Sequence, residues 1–347
     1  MRTGRDALLD VLRTEGVRHI FGNPGSTELP LIDALADADD LHYVLALQEA
    51  TAIGMADGYA QASGRPAFVN LHTSAGVGNA IGNLTNARAN GTPMVVTAGQ
   101  QDYGHIEADP MLSGDLVGLA RGVSKWAHEV RTLRELGTIM RRAFHDAPIA
   151  PAGPVFVSLP MSTLDEEGEA PVPPASRIDL RARAEGLDEL ATLLAETSVG
   201  SLAIIVGDEV THSGGLAAVA ALAEVLGAPV HTAPLHGTGV FPSHHPLFAG
   251  MLPPMAAGMR AALARYQRVL FVGGQPFYVY PYSDGSPLPD GTELLHLSPD
   301  PHQLGRTFPV RLGVAGDPQA TLSALVPLVA PRVDAAAAAA AVAEGRA

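Results

Sequence analysis

A chain of 347 residues has room for about two domains at roughly 100–200 residues each, and 47% hydrophobic with 17% charged residues is a globular composition, not a disordered or fibrous one. Its 36 acidic against 22 basic side chains give a net charge of −14, which repels nucleic acid unless a local basic patch outweighs that field. There is no cysteine, so disulfides, thiolate nucleophiles and cysteine-based zinc or iron–sulfur sites are excluded together.

At the N-terminus charges interrupt the apolar pattern, and no apolar run approaches the ~20 residues needed to span a bilayer. A soluble, cytoplasmic protein without a membrane partner is expected. Leu8, Leu9, Val11 and Leu12 among Arg5, Asp6, Asp10 and Arg13 predict a helix over 5–15, ended by Gly16. A strand over 18–22 then runs into Gly22-Asn23-Pro24-Gly25-Ser26, whose proline and glycines stop regular structure before a helix starts near Thr27. Strands follow over 41–47, 66–71, 94–98 and 154–159, with helices over 48–62, 77–88 and 132–145. That alternation predicts right-handed crossovers and a mostly parallel sheet covered on both faces.

From Pro160 to Arg183 four prolines and an acidic cluster replace the periodicity, which marks a domain boundary. A second α/β series is expected after it. Its strands fall over 202–206, 229–232, 268–272 and 293–298, its helices over 187–196, 214–226, 254–265 and 318–329. The expected organisation is therefore a first domain over 1–160, a connector over 161–185, a second domain over 186–331, and an Ala-rich tail over 332–347 that reads as a weakly held helix or linker.

Ligands of open parallel sheets bind where loops leave the carboxyl ends of strands. Three segments of the first domain leave strands in this way. The GNPGS loop at 22–26 is either a Pro-Gly turn or part of a site. Glu49 lies between an apolar strand and the apolar helical positions Ala50, Ile53 and Met55. It is either a helix N-terminal charge favoured by the dipole or a buried acid able to exchange a proton. The third, His72 to Asn79, is a Gly-rich turn opening a helix, which binds a phosphate or merely turns the chain. Elsewhere His244-His245 lacks a third ligand at a useful spacing, Gly207-Asp208 and Gly273-Gly274 complete no dinucleotide fingerprint, and there is no G-x-S-x-G elbow.

In order and spacing, HIFGNPGSTELP at 19–30, LALQEATAIGMADGYAQASGRPAFVNLHTSAGVGNAIGNLTNA at 45–87, PMVVTAGQQ at 93–101 and GPVFVSLP at 153–160 resemble the pyrimidine-binding domain of thiamine-diphosphate-dependent enzymes, the benzoylformate decarboxylases in particular. The chain from 186 to about 331, with APVHTAP at 228–234 and FPSHHPLFAGMLP at 241–253, resembles the central domain of the same family. The resemblance implies two doubly wound parallel α/β domains and a 2-oxo acid decarboxylase. It implies that Glu49 hydrogen-bonds N1′ of the aminopyrimidine, that Ser26 anchors the substrate carboxylate, that His72 donates or accepts a proton, and that Pro24, Gly25 and Asn79 line the pyrimidine pocket. Tyr280 falls where benzoylformate decarboxylases carry a second active-site histidine. Tyrosine donates a hydrogen bond but relays protons poorly near neutral pH, so a carboligase or lyase, or an acetolactate-synthase-like subunit, stays open.

The family holds the diphosphate and its Mg²⁺ through a Gly-Asp-Gly followed by Asn-Asn. Residues 1–347 contain no GDG, and no asparagine follows Asn90. The resemblance then implies that thiamine diphosphate is shared with a partner chain carrying that domain in a homo- or hetero-oligomer. Mg²⁺ is held by the partner, this chain supplies no metal ligand, and it is inactive alone toward its small 2-oxo acid. A non-catalytic assembly or regulatory relative, or a nucleotide binder using the central domain, are the readings that compete.

Overall fold

The computed structural model describes residues 1–238 and 241–345, so the last two residues of the expected tail lie outside the described residues. The chain forms two compact units, Met1–Arg177 and Ile178–Ala347. The first opens with β1 (Arg2–Thr3) and α1 (Gly4–Thr14). Thr3 caps the helix through its hydroxyl, which accepts from the Asp6 N–H, while the Asp6 carboxylate accepts from the Thr3 N–H. There follow β2 (His19–Gly22), α2 (Leu29–Leu35), β3 (His42–Leu45), α3 (Glu49–Ser63), β4 (Ala67–Leu71), α4 (Thr73–Ala89) and β5 (Met94–Gln100). The unit is completed by α5 (Leu116–Arg121), β6 (Ala127–Glu129), α6 (Leu133–Asp146), β7 (Pro154–Pro160), α7 (Met161–Asp165) and β8 (Glu167–Gly168).

The six larger strands pair in parallel in the order β3-β2-β4-β5-β7-β6. Successive side chains point to opposite faces, which is why Phe68, Val95 and Val157 join the core under α1 and α6 while Val69, Val96 and Phe156 join the core under α3, α4 and α5. Sequence neighbours part company between β2 and β4, where the winding reverses. That reversal opens a crevice at the carboxyl ends of these two strands.

The second unit contains α8 (Leu187–Ala195), β9 (Leu202–Val206), α9 (Asp208–His212), α10 (Leu216–Leu226), β10 (Val230–Thr232), β11 (Phe248–Met251) and α11 (Ala256–Leu263). It continues with β12 (Arg268–Val272), β13 (Glu293–Ser298), β14 (Leu312–Ala315), α12 (Pro318–Val329) and α13 (Ala335–Glu344). Its sheet is also parallel and six-stranded, in the order β11-β10-β9-β12-β13-β14, with apolar cores on both faces. Both units are therefore doubly wound. Among the described residues no single helix is long and apolar enough to cross a membrane.

Two points differ from the expected organisation, and the tail takes one of its two expected forms. The connector 161–185 is not irregular throughout: α7 forms at its start, and β8 pairs antiparallel with β1, because Leu164 and Ala170 have a core to enter. The short edge strands β6, β11 and β14 carry too few alternating apolar residues to announce themselves. The tail is a docked helix, since Gly227, with φ +58°, has no side chain and lets Ala338 of α13 pack against it. Ala338 is 3% exposed, so Ala338→Glu would bury an unpaired charge. It should release α13 at a local cost of about 1–3 kcal/mol and open residues 330–334 to limited proteolysis. Unchanged cleavage would mean that the helix is held elsewhere.

Candidate active site

Strand β2 ends at Gly22, in register with Asn70 of β4. A Cβ at Gly22 would lie 2.2 Å from the Tyr43 hydroxyl and 2.3 Å from the Asn70 carbonyl oxygen. Only glycine lets the chain turn here over the crevice, and the turn delivers Asn23, Pro24 and Gly25 to its edge.

Glu49 enters from the other side as the first residue of α3, behind the Gln48 cap whose side chain accepts from the Thr51 N–H at 3.1 Å. It is 6% exposed. Asn23 Nδ2 donates to its Oε1 at 3.1 Å and Asn79 Nδ2 donates to its Oε2 at 3.0 Å. The residue is thus both buried and at a helix N-terminus, a carboxyl that protein amides solvate in place of water. Gly76 makes the room: a Cβ there would sit 3.3 Å from Glu49 Cγ and Oε1. One turn after Asn79, Asn83 Nδ2 donates to the Ala50 carbonyl at 2.6 Å and ties α4 to the start of α3.

The His72–Asn79 stretch is a helix from Thr73 onward and not a loop, which corrects the expected start at 77. The two glycines within it are tolerated because one of them admits Glu49. His72 precedes the helix with its ring turned toward a residue the sequence did not single out, Glu28. Glu28 is 1% exposed. Its Oε1 accepts from the Gly99 N–H at 2.8 Å and from Thr27 Oγ1 at 2.7 Å, and its Oε2 accepts from the Gly25 N–H at 2.8 Å and faces His72 Nδ1 at 2.8 Å. The Thr27 hydroxyl spends its hydrogen on Glu28 and also lies 3.2 Å from Nδ1. Both neighbours of Nδ1 are therefore acceptors, so the network assigns the ring hydrogen to Nδ1 and leaves Nε2 as the exchanging nitrogen.

Glycine again permits the contact twice. A Cβ at Gly99 would meet Glu28 Oε1 at 2.2 Å, and one at Gly25 would meet the His72 ring at 2.4 Å. Thr73 adopts φ +47°, a strained value for a β-branched residue, and its buried hydroxyl has no hydrogen-bond partner among the described residues.

The hydrogen bond to Glu28 raises the His72 pKa above the ordinary imidazole value; desolvation opposes this, and the charges of Glu28 and Glu49 add to it. The folded state thus binds this proton more tightly than the unfolded chain. The stability it contributes is complete below the unfolded value and is lost as pH rises through the folded-state pKa. Imidazole NMR should show His72 titrating above about 6.5, and the first unit should unfold more easily above that midpoint than below about pH 6 as far as this group is concerned. A His72 midpoint at or below the ordinary value would overturn the assignment of the pair.

The structure brings Pro24, Gly25, Glu49, His72 and Asn79 to one crevice and adds Asn23, Thr27, Glu28 and Gly99, which sequence reasoning missed. Ser26 is exposed at the start of a 3-10 turn over Ser26–Glu28. Tyr280 belongs to the second unit, 71% exposed, its N–H donating to the Pro254 carbonyl at 2.6 Å. Among the described residues no group of three or more His, Asp or Glu is arranged to hold a metal ion.

Two family models match the chain: the N-terminal TPP binding domain of thiamine pyrophosphate enzymes over residues 2–121, and the central domain of thiamine pyrophosphate enzymes over residues 187–325. Benzoylformate decarboxylase of Pseudomonas aeruginosa is 35% identical over 334 residues, 95% of this chain and 63% of the relative. An acetolactate synthase large subunit of Lactococcus lactis is 30% identical over 339 residues, 96% of this chain and 58% of the relative. The crystal structure of benzoylformate decarboxylase from Polynucleobacter necessarius superposes with a TM-score of 0.88 at 32% identity, covering 95% of this chain and 61% of that one. The chain spans less than two thirds of the length of each.

Proposed function

The chain belongs to the thiamine pyrophosphate enzyme family, and on that premise we propose that it forms the pyrimidine-binding and central domains of an enzyme that decarboxylates a small 2-oxo acid. The observation that carries this reading is the Glu49 carboxyl, buried between two amides at the winding reversal with a carboxylate-backed imidazole in its field. Each Glu49 oxygen accepts one amide hydrogen and keeps a further lone pair, so the carboxyl can still share a proton with a ring nitrogen such as N1′ of an aminopyrimidine. The residues present fit the cofactor's pyrimidine half. When bound, thiamine diphosphate supplies the electron sink that the carbanion left by loss of carbon dioxide requires.

The chain's own groups then divide the work. Asn23 and Asn79 orient the Glu49 carboxyl, which holds or releases the shared proton. Pro24 and Gly25 border the same crevice. His72 keeps Nδ1 on Glu28 and uses Nε2 to give or take a proton at the substrate, its basicity raised by the carboxylate behind it. Ser26 is available to anchor the substrate carboxylate.

The diphosphate and Mg²⁺ fall to a domain with the GDG and Asn-Asn motifs, supplied by a partner chain in an oligomer. Exposed Leu45 at the end of β3, Leu47 just after it, Leu29 at the start of α2 and Met111 beyond β5 support such a contact, since exposed apolar residues that follow the carboxyl ends of the strands mark an interaction surface. A second reading, a carboligase of the acetolactate synthase kind, is favoured by the 30% identity to that relative and by Tyr280 in place of a proton-relaying histidine. Combining the chain with a GDG-bearing domain, thiamine diphosphate and Mg²⁺, then analysing products from an aromatic and an aliphatic 2-oxo acid, tests both. Carbon dioxide with an aldehyde supports decarboxylation, a carbon–carbon coupled product supports the second reading, and no turnover of either acid by a complex that forms overturns both.

A further inference from the structure

At the amino end of the first sheet, away from Glu49, the segments leading into β2 and β4 and the end of α6 enclose a cavity of about 200 Å³. Its walls are flat: His19 and Tyr59, with ring centroids 5.6 Å apart, together with Phe144, Pro66 and Pro148. Its polar groups are unusually idle. The Nδ1 atom of His19 is buried without a hydrogen-bond partner among the described residues, although buried polar atoms in folded proteins are almost always paired.

The side chains of Arg18 and Arg65, both at the cavity, make no ion pair or hydrogen bond among the described residues. Asp40, the carboxylate whose charge Arg18 feels, is already held by Arg13 through two contacts of 2.9 Å. The third charged group of the lining is Glu15, which burial shifts toward its protonated form against the pull of Arg141 and His145. Two unspent guanidinium charges against one carboxyl leave the lining short of one negative charge.

From this geometry we infer a second binding site, for a small flat monocarboxylate. The ring of the ligand lies over the packed His19–Tyr59 pair and against Pro66 and Pro148. Its carboxylate accepts from Arg18 and Arg65, with geometry that guanidinium suits better than ammonium. The volume is below the several hundred cubic ångströms typical of sites for drug-sized molecules, so one ring and its acid group fill it. The inference does not depend on the proposed catalytic role, since no residue is common to the two sites.

Benzoate is the probe, with benzamide as the neutral isostere and inorganic phosphate as the anion lacking a flat body. NMR titration of the chain should give saturable shifts at the His19 ring nitrogens with benzoate, equally in the wild type and in Glu49→Gln, whose substitution lies at the opposite end of the sheet. Arg18→Gln and Arg65→Gln replace exposed side chains, which keeps folding intact as melting curves will show. Each should weaken benzoate by a factor on the order of ten, and benzamide and phosphate should both fail to compete. Absence of saturable shifts at His19, unchanged affinity in the double variant, or competition by phosphate as strong as by benzoate would each overturn the site.

Discussion

Glu49→Gln should leave the chain folded and slow loss of the thiazolium C2 proton, in a holoenzyme completed by a diphosphate-binding domain, by a factor on the order of 10² or more. The substitution preserves shape, and its cost to folding can be bounded from the contacts. Asn23 and Asn79 each give an amide hydrogen to one Glu49 oxygen. Glutamine keeps one of those oxygens and presents an amino group to the other asparagine, a donor against a donor. Rotating that asparagine amide by a half-turn restores a bond, so the loss is that of a charge-assisted bond becoming neutral. With the weakened helix N-terminal charge the total comes to about 1–2 kcal/mol.

What glutamine cannot do is exchange a proton with a ring nitrogen. If Glu49 is only a helix-terminal charge, hydrogen–deuterium exchange at C2 will be equal in the two proteins while the melting temperature falls slightly. If it activates the aminopyrimidine, exchange collapses with the same slight fall in melting temperature and at constant cofactor occupancy. Equal exchange rates would remove Glu49 from the chemistry and take the proposed function with it.

The alternation of strands and helices was legible because Leu8–Leu12 carries the helical period and Phe68–Leu71 and Ile204–Val206 are short runs buried on both faces of a parallel sheet. Glu49 and His72 were legible for a related reason: His72 directly follows β4 and Glu49 opens the helix after β3, and strand ends are where open sheets bind. Glu28 was not. It sits in the segment Ser26-Thr27-Glu28-Leu29-Pro30, which reads as the polar opening of a surface helix, and its burial depends on the Gly99 N–H, 71 residues away. No local pattern reports that a glycine on β5 has vacated the space for a carboxylate.

Asn23 was quoted within its loop yet given no task, because its partner lies 26 residues on. The docking of the tail helix was hidden for the opposite reason. Docking is usually announced by large apolar side chains, whereas α13 docks through Ala338 on Gly227, where close approach of backbones replaces bulk. The idle groups around His19 also escaped notice in the sequence, since an unpaired nitrogen becomes conspicuous only when its surroundings are known.

Glu28 accordingly supports the second large expected effect. Glu28→Ala should destabilise the first unit by about 3–5 kcal/mol, because it strands the buried Gly99 and Gly25 N–H groups and the Thr27 hydroxyl along with the imidazole. That variant alone cannot separate a fold-holding role from a role acting on His72. Glu28→Gln can, since it keeps one acceptor oxygen inside the cluster, removes the charge that faces Nδ1, and sets its amide N–H₂ against the donors of one side only. Its cost in stability should be smaller, and the His72 midpoint should fall, because the largest cause of its upward displacement is the bond to this carboxylate.

The sign has a kinetic counterpart. If turnover needs His72 protonated, the alkaline limb of the pH–rate profile of the completed enzyme should move to lower pH in Glu28→Gln, by the same interval as the imidazole titration followed by NMR. A variant that melts earlier while His72 titrates as in the wild type would reduce Glu28 to a buried cap for Gly25 and Gly99. A titration that moves while the pH–rate profile stays fixed would show that the Glu28–His72 pair is real but that His72 passes no proton in the rate-limiting step.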